Sequence, residues 1–205
     1  MVSAVASSNE TLVIFKRGPE SIFTLTGDLV NRRIRVDQLS PSIGCQSHSS
    51  IKDVNGVLFF LSDKGIHTMV GSRIPQLISR PVNSILSKKF SDGTKTINMR
   101  KAVAVHQPLT KEYLIYIPAE TLLSTEYYSN DNSRLLAYDY FNDNWSEWTG
   151  VNWGSGVQYF DNTLIWSSRQ LDIAQTAIEI FVFKQHNSNR LSDFGDQTSV
   201  IPHRS

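Results

Sequence analysis

The sequence predicts an all-β fold of antiparallel, β-propeller-like blades, in about four repeat units with the outer ones incomplete. Three observations carry that expectation. Helical periodicity is nearly absent, and the strong signals are short runs of β-branched and aromatic residues broken by Gly, Asn, Asp and Pro. The runs come in pairs. The first members of the pairs begin near residues 12, 57, 113 and 163, at spacings of 45, 56 and 50, close to the period of a four-stranded blade.

The first pair is TLVIFK (11–16) and SIFTLTGD (21–28), with little room before Thr11 for a full leading strand. NRRIRV (31–36) continues it, a strand that would set Arg33 and Arg35 on one face and Arg32 on the other. The second unit reads as four strands, SSIKDV (49–54), VLFFLS, IHTMV and PQLIS (75–79). Its middle link, Asp63-Lys64-Gly65, signals a tight hairpin, because glycine takes positive φ there without strain. PVNSILSKK (81–89) is the only helix expected, and a short one. The third unit is RKAVAVH (100–106), EYLIYIP (112–118), RLLAYDY (134–140) and NWSEWT. The last pair is NTLIWSS (162–168) and IEIFVFK (178–184). The boundaries that follow are a propeller-like domain over 1–185 and a polar C-terminal segment over 186–205, the start of a further blade.

The third unit turns at LLAYDYFNDNWSEWTG (135–150). Asn142, Asp143 and Asn144 favour turn geometry through bonds to their own backbone. Tyr138, Trp145 and Trp148 are therefore read as packing at a blade corner, ahead of an aromatic ligand shelf or a metal loop.

Signals for chemistry are weak. The 205 residues are 40% hydrophobic and 19% charged, and the net charge of +1 leaves any nucleic-acid role to a local patch. The single cysteine, Cys45, excludes an internal disulfide and reads as a small buried thiol. His48, His67, His106, His186 and His203 stand at no metal-ligand spacing from one another or from Cys45, so neither metal nor cofactor is expected. NWGSGVQ (152–158) is not a nucleophile elbow, and its glycines are assigned to turns. NDNSRLLAYDY (130–140) lacks the Gly and Glu of a calcium loop. The start, MVSAVASSNETLVIF, has no basic and then continuous apolar region of a signal peptide, and no stretch is apolar for long enough to form a membrane helix.

One charge cluster stands out. KKFSDGTKTINMRK (88–101) sets Lys88, Lys89, Lys95, Arg100 and Lys101 against Asp92. A loop of this kind can lie along phosphates or against an acidic partner, and it can equally be a solvated connector.

Two families share these patterns. Kelch-type propellers have a similar Tyr-Asp then Asn-x-Trp corner, but they carry Gly-Gly pairs that are absent here. GCQSHSSIKDVNGVLFFLSDKGIHTMVG (44–71), with LVIFKRGPESIFTLTGD upstream and YDYFNDNWSEWTG downstream, more closely resembles the tail nozzle (tail tubular) and packaged-DNA stabilisation proteins of short-tailed phages. Members of that group are usually much longer than 205 residues, so this chain is not expected to close a propeller alone.

The resemblance implies a non-enzymatic structural virion protein, assembled in the host cytoplasm. It would sit in a homo-oligomeric ring around the DNA channel, beside portal, adaptor or tail fibre proteins. Two other readings are weighed against it. One is a cellular propeller acting as a protein-binding module. The other is a carbohydrate-binding or glycoside-acting propeller with Trp145, Trp148, Trp153 and Trp166 as stacking platforms.

Overall fold

A computed structural model describes residues 1–8, 11–28, 33–86, 95–121, 134–148, 155–158, 164–171 and 178–185. From residue 151 onward the backbone alone is described. The chain divides into two compact units, Met1–Ser87 with Met99–Ala102, and Lys88–Asn98 with Val103–Ser205.

The first unit holds two four-stranded antiparallel sheets. In the first sheet, β1 (Val2–Ser8), β2 (Thr11–Lys16), β3 (Ser21–Asp28) and β4 (Arg33–Ser40) lie in chain order. β1 corrects the expected absence of a leading strand. Its VSAVASS is built of small residues of modest strand propensity, so it does not announce itself. Its backbone nonetheless pairs with β2, Ala4 opposite Phe15 and Ala6 opposite Val13. The second sheet, β5 (Lys52–Val54), β6 (Val57–Ser62), β7 (Gly65–Met69) and β8 (Gln76–Leu77), repeats the order.

The β6–β7 register pairs Ser62 with Gly65, so Asp63 and Lys64 form the expected two-residue turn. Gly65 has φ of +128, and a Cβ there would also crowd the Ser79 hydroxyl and the Asn83 amide. The short helix appears as α1 (Asn83–Leu86), entered through a 3-10 turn at Arg80–Val82.

The two sheets meet face to face. Ala4, Val13, Phe15 and Ile22 of the first form one core with Leu58, Phe60 and Met69 of the second, and the Phe15 and Phe60 ring centroids stand 4.9 Å apart. Alternation explains the pattern, since Val13 and Phe15 share one side of β2. β1 lies against the 3-10 turn, His48–Ser50, that leads into β5.

In the second unit, β9 (Lys95–Ile97) pairs with β12 (Ala119–Thr121) as a short two-stranded ribbon. The third sheet is β10 (Val103–Gln107), β11 (Glu112–Ile117), β13 (Arg134–Asp139) and β14 (Asn144–Trp148), again in chain order. β15 (Ser155–Gln158), β16 (Leu164–Leu171) and β17 (Ile178–Gln185) make a fourth, three-stranded sheet, and β15 lies against β10. Gly156 is thus a strand residue opposite Trp166, and not the turn residue expected of NWGSGVQ. The segment 186–205 lies outside the described residues. No described helix is long and apolar enough to cross a membrane.

Candidate functional site

The corner of the third sheet is built from register. Asp139 pairs with Asn144 and Tyr138 with Trp145, so Tyr140–Asp143 is the turn. Asp139 shapes it: its carboxylate accepts the backbone N–H of Phe141 at 2.9 Å and of Asn142 at 3.0 Å, and the Asn142 amide at 2.6 Å. Those donated bonds hold its pKa below the usual carboxylate value. Asp143 takes positive φ of 53, which Asp tolerates better than most residues. From there its carboxylate receives the Tyr138 hydroxyl at 2.7 Å. Burial and that acceptor push the phenol up to about 12.

The two tryptophans sit three apart on a strand and so point to opposite faces. Trp145 lies against Tyr138, ring centroids 4.8 Å apart. Trp148, opposite Leu135, packs against a core of Val105, Leu114, Tyr116, Leu135 and Ala137. Both are half-buried packing residues, one per face, which gives the aromatic corner motif a job inside the sheet. Trp153 and Trp166 lie where no side chain is described.

The basic cluster is only partly placed. Lys88 and Lys89 lie outside the described residues. Lys95 begins β9, in the second unit, and its side chain is not described. Arg100 and Lys101 are neighbours in the 3-10 turn Met99–Lys101 of the first unit, and both are exposed. Of the arginines in NRRIRV, Arg33 and Arg35 are exposed on β4, Arg35 is paired to Asp37 at 2.7 Å, and Arg32 is outside the described residues.

Sequence reasoning missed the polar core between the first two sheets. Glu20 is buried and accepts the backbone N–H of Gly44 and of Asp63, each at 3.1 Å, and the Gln46 side-chain amide. Burial and the neighbouring Asp63 carboxyl raise its pKa. Gly44 must be glycine, because a Cβ would strike the Lys16 carbonyl. Gln46 N–H donates to the Leu61 carbonyl at 2.8 Å, and Ser50 Oγ donates to the Ser47 carbonyl at 2.6 Å while accepting Leu61 N–H at 3.1 Å. The Gly-Cys-x-Ser stretch is thus a structural clasp between the β2–β3 turn and β6.

Cys45 sits within the clasp, fully buried and free, its thiol pushed up to about 11 by burial. A thiol that stays protonated at neutral pH is a poor nucleophile. His67 is buried too, with Nδ1 3.2 Å from Ser62 Oγ and 3.1 Å from the Gly65 carbonyl, and its ring stacked on Phe60. Burial lowers its pKa. Both members of this Ser–His pair are closed off from solvent inside the core. Among the described residues, no three His, Cys, Asp or Glu side chains are grouped to hold a metal.

Among the described residues, the arrangement offers rigid packing, pinned linkers and exposed strand surface. Comparison of the sequence with protein-family models and with curated proteins returns no match.

Proposed function

We propose that this chain is a non-enzymatic structural protein of a phage tail or head-to-tail assembly, contributing propeller-like blades to a ring around the DNA channel. One observation supports it above the others: the same four-stranded antiparallel meander recurs three times in chain order. In the first unit, two successive meanders stack face to face with the Gly44–Ser50 clasp between them. Stacked meanders of this kind are how blades build a propeller. The clasp opens the 44–71 stretch that, with its upstream and downstream segments, resembles tail nozzle and DNA-stabilisation proteins, and it gives the start of that pattern a structural role.

The mechanism is surface matching on a rigid frame. Exposed Arg100 and Lys101, with Lys88, Lys89 and Lys95 nearby in sequence, supply positive charge for packaged DNA or an acidic neighbour. Mass spectrometry of purified particles tests the reading. The chain should be present at a fixed, multiple copy number, and its absence from particles overturns the proposal. Replacing the five basic residues by Gln then separates the two partners. A shallower salt dependence of DNA retention with assembly intact identifies DNA, the log–log slope falling by about 0.9 for each phosphate no longer neutralised. Weakened assembly identifies a protein neighbour.

A further inference from the structure

One row across the third sheet sets polar side chains beside an apolar core. Gln107 of β10 pairs with Glu112 of β11, Glu112 with Asp139 of β13, and Asp139 with Asn144 of β14. Residues directly opposite share a face, with Cβ atoms about 4.5–5.5 Å apart. The next row on the same face is Val105, Leu114 and Ala137, part of the core against which Trp148 packs. The polar row runs from the interior outward. Gln107 is 1% exposed, Glu112 and Asp139 are half-buried, and Asn144 is exposed.

Two features of this row are unsettled. Gln107 is buried, yet neither its Nε2 nor its Oε1 has a hydrogen-bond partner among the described residues. A buried amide left unpaired is costly and calls for an occupant. Beside it two carboxyl groups face each other, and like charges directly opposite repel. Burial and the Asp139 charge raise the Glu112 pKa, which places the two groups within electrostatic reach. Lys111 acts on Asp139, but its ammonium is seated over the Phe141 ring, 3.8 Å from the centroid. Glu112 Oε2 accepts the Thr110 hydroxyl at 2.6 Å, and Oε1 is left without a partner among the described residues. Asp139 Oδ1 takes both backbone N–H groups of the corner, so Oδ2, which accepts the Asn142 amide, keeps a lone pair.

We propose that this row is a divalent-cation site, taking calcium between the Glu112 and Asp139 carboxylates with the Gln107 side-chain oxygen as a third ligand. The ligand set decides the metal class. Three oxygens, with no nitrogen or sulfur, suit a hard cation. Side chains fixed on three neighbouring strands do not form an octahedron, which favours the adaptable coordination of calcium over magnesium. Glu112 and Asp139 reach the surface, so water fills the outward positions. The cation gives the Gln107 oxygen a partner and neutralises the facing charges. Two carboxylates make a weak site, with a dissociation constant of roughly 0.1–1 mM. Two acidic groups and an amide are compatible with the lack, among the described residues, of any three grouped His, Cys, Asp or Glu side chains. Spacing along the chain hides the set, since residues 107, 112 and 139 meet only through register. The inference rests on this row and not on the virion reading.

The test is thermal melting of the full chain in calcium chloride, against magnesium chloride and against sodium chloride of matched ionic strength. Calcium at about ten times the dissociation constant should raise the melting temperature by about 3–6 °C. Magnesium should raise it less, and sodium should not raise it. Glu112→Gln removes one ligand charge and the repulsion with it, so the cation-free chain should melt no lower while the calcium shift is lost. Gln107→Leu removes the unpaired amide, so the cation-free chain should melt at the same temperature or higher. Its calcium affinity should nonetheless fall by about tenfold or more. Asp139 is left unaltered, because its carboxylate also holds the corner. The two variants separate loss of the site from loss of the fold, which circular dichroism follows. A wild-type melt that responds to calcium no more than to sodium, or a full calcium shift in either variant, would overturn the inference. An equal shift with magnesium would overturn the assignment to calcium.

Discussion

The first sheet and the third have the same strand order and the same antiparallel pairing, yet they bury their residues differently. In the third, both faces of the middle strands are closed. Leu114 and Ala137 on one side, and Tyr113, Ile115 and Leu136 on the other, are all buried. In the first, only the Val13–Phe15–Ile22 side is closed, while Leu12, Val36 and Ile34 opposite remain in water. The strands are comparably apolar, so composition alone does not decide burial. A strand with hydrophobic residues at consecutive positions is built to be covered on both faces. Among the described residues, the first sheet meets that condition on one face only, and its other flank is exposed.

Breaking the closed side should cost most. Phe60→Ala removes a fully buried ring packed on Phe15 and His67, and should destabilise the chain by about 3–5 kcal/mol in urea unfolding. A loss below about 1 kcal/mol would mean that the first two sheets do not share a core. Trp148→Ala should follow, at about 2 kcal/mol, below the range for fully buried aromatics because the ring is half-exposed. Trp145→Ala should cost less, since it packs on one ring at the corner. Equal and negligible losses for both would assign the motif to ligand binding instead.

The polar core sharpens the comparison through pH. Burial holds His67 below its ordinary 6.5, so its contribution to stability is complete above that value and is lost as pH falls through the lowered native pKa. Glu20 runs the other way. Its native pKa is raised from 4.5, so its contribution is complete below that value and is lost as pH rises through the raised one. Either group changes stability by at most about 1.4 kcal/mol per pH unit. His67→Gln should flatten the acid-side loss of the unfolding midpoint below about pH 6.5, and Glu20→Gln should flatten the opposing trend. An unaltered pH profile in both variants contradicts the burial assigned to these groups.

The open flank should give the smallest effect. In the dilute single chain, Val36→Thr and Leu12→Ser should each change stability by no more than about 0.5–1 kcal/mol, because the side chains already meet water. A loss of several kcal/mol at either site would show that the chain covers this face itself.

Much of this is legible in the sequence and some is not, for identifiable reasons. The hairpin at Asp63–Lys64, the four strands of the second and third units, and the packing of Tyr138, Trp145 and Trp148 follow from alternation and turn chemistry, which are local. β1 is hidden because Ala and Ser signal no strand, and its pairing is supplied by β2. The β9–β12 ribbon is hidden because three-residue strands carry too few side chains for a period. The Glu20 clasp joins residues 24 to 43 positions apart, a relation no local pattern encodes. The open face is visible in part: TLVIFK has hydrophobic residues at consecutive positions, which says that both sides want cover without saying that one lacks it.

The most direct test of the central claim, that the first sheet buries one face and leaves the other in water, is carbene footprinting of the wild-type chain in dilute solution. The account predicts strong labelling of Val5, Leu12, Ile34 and Val36 in the dilute chain and little at Leu61, Ile66, Ile115 and Leu136. Equal protection of both sets in the dilute chain would contradict it.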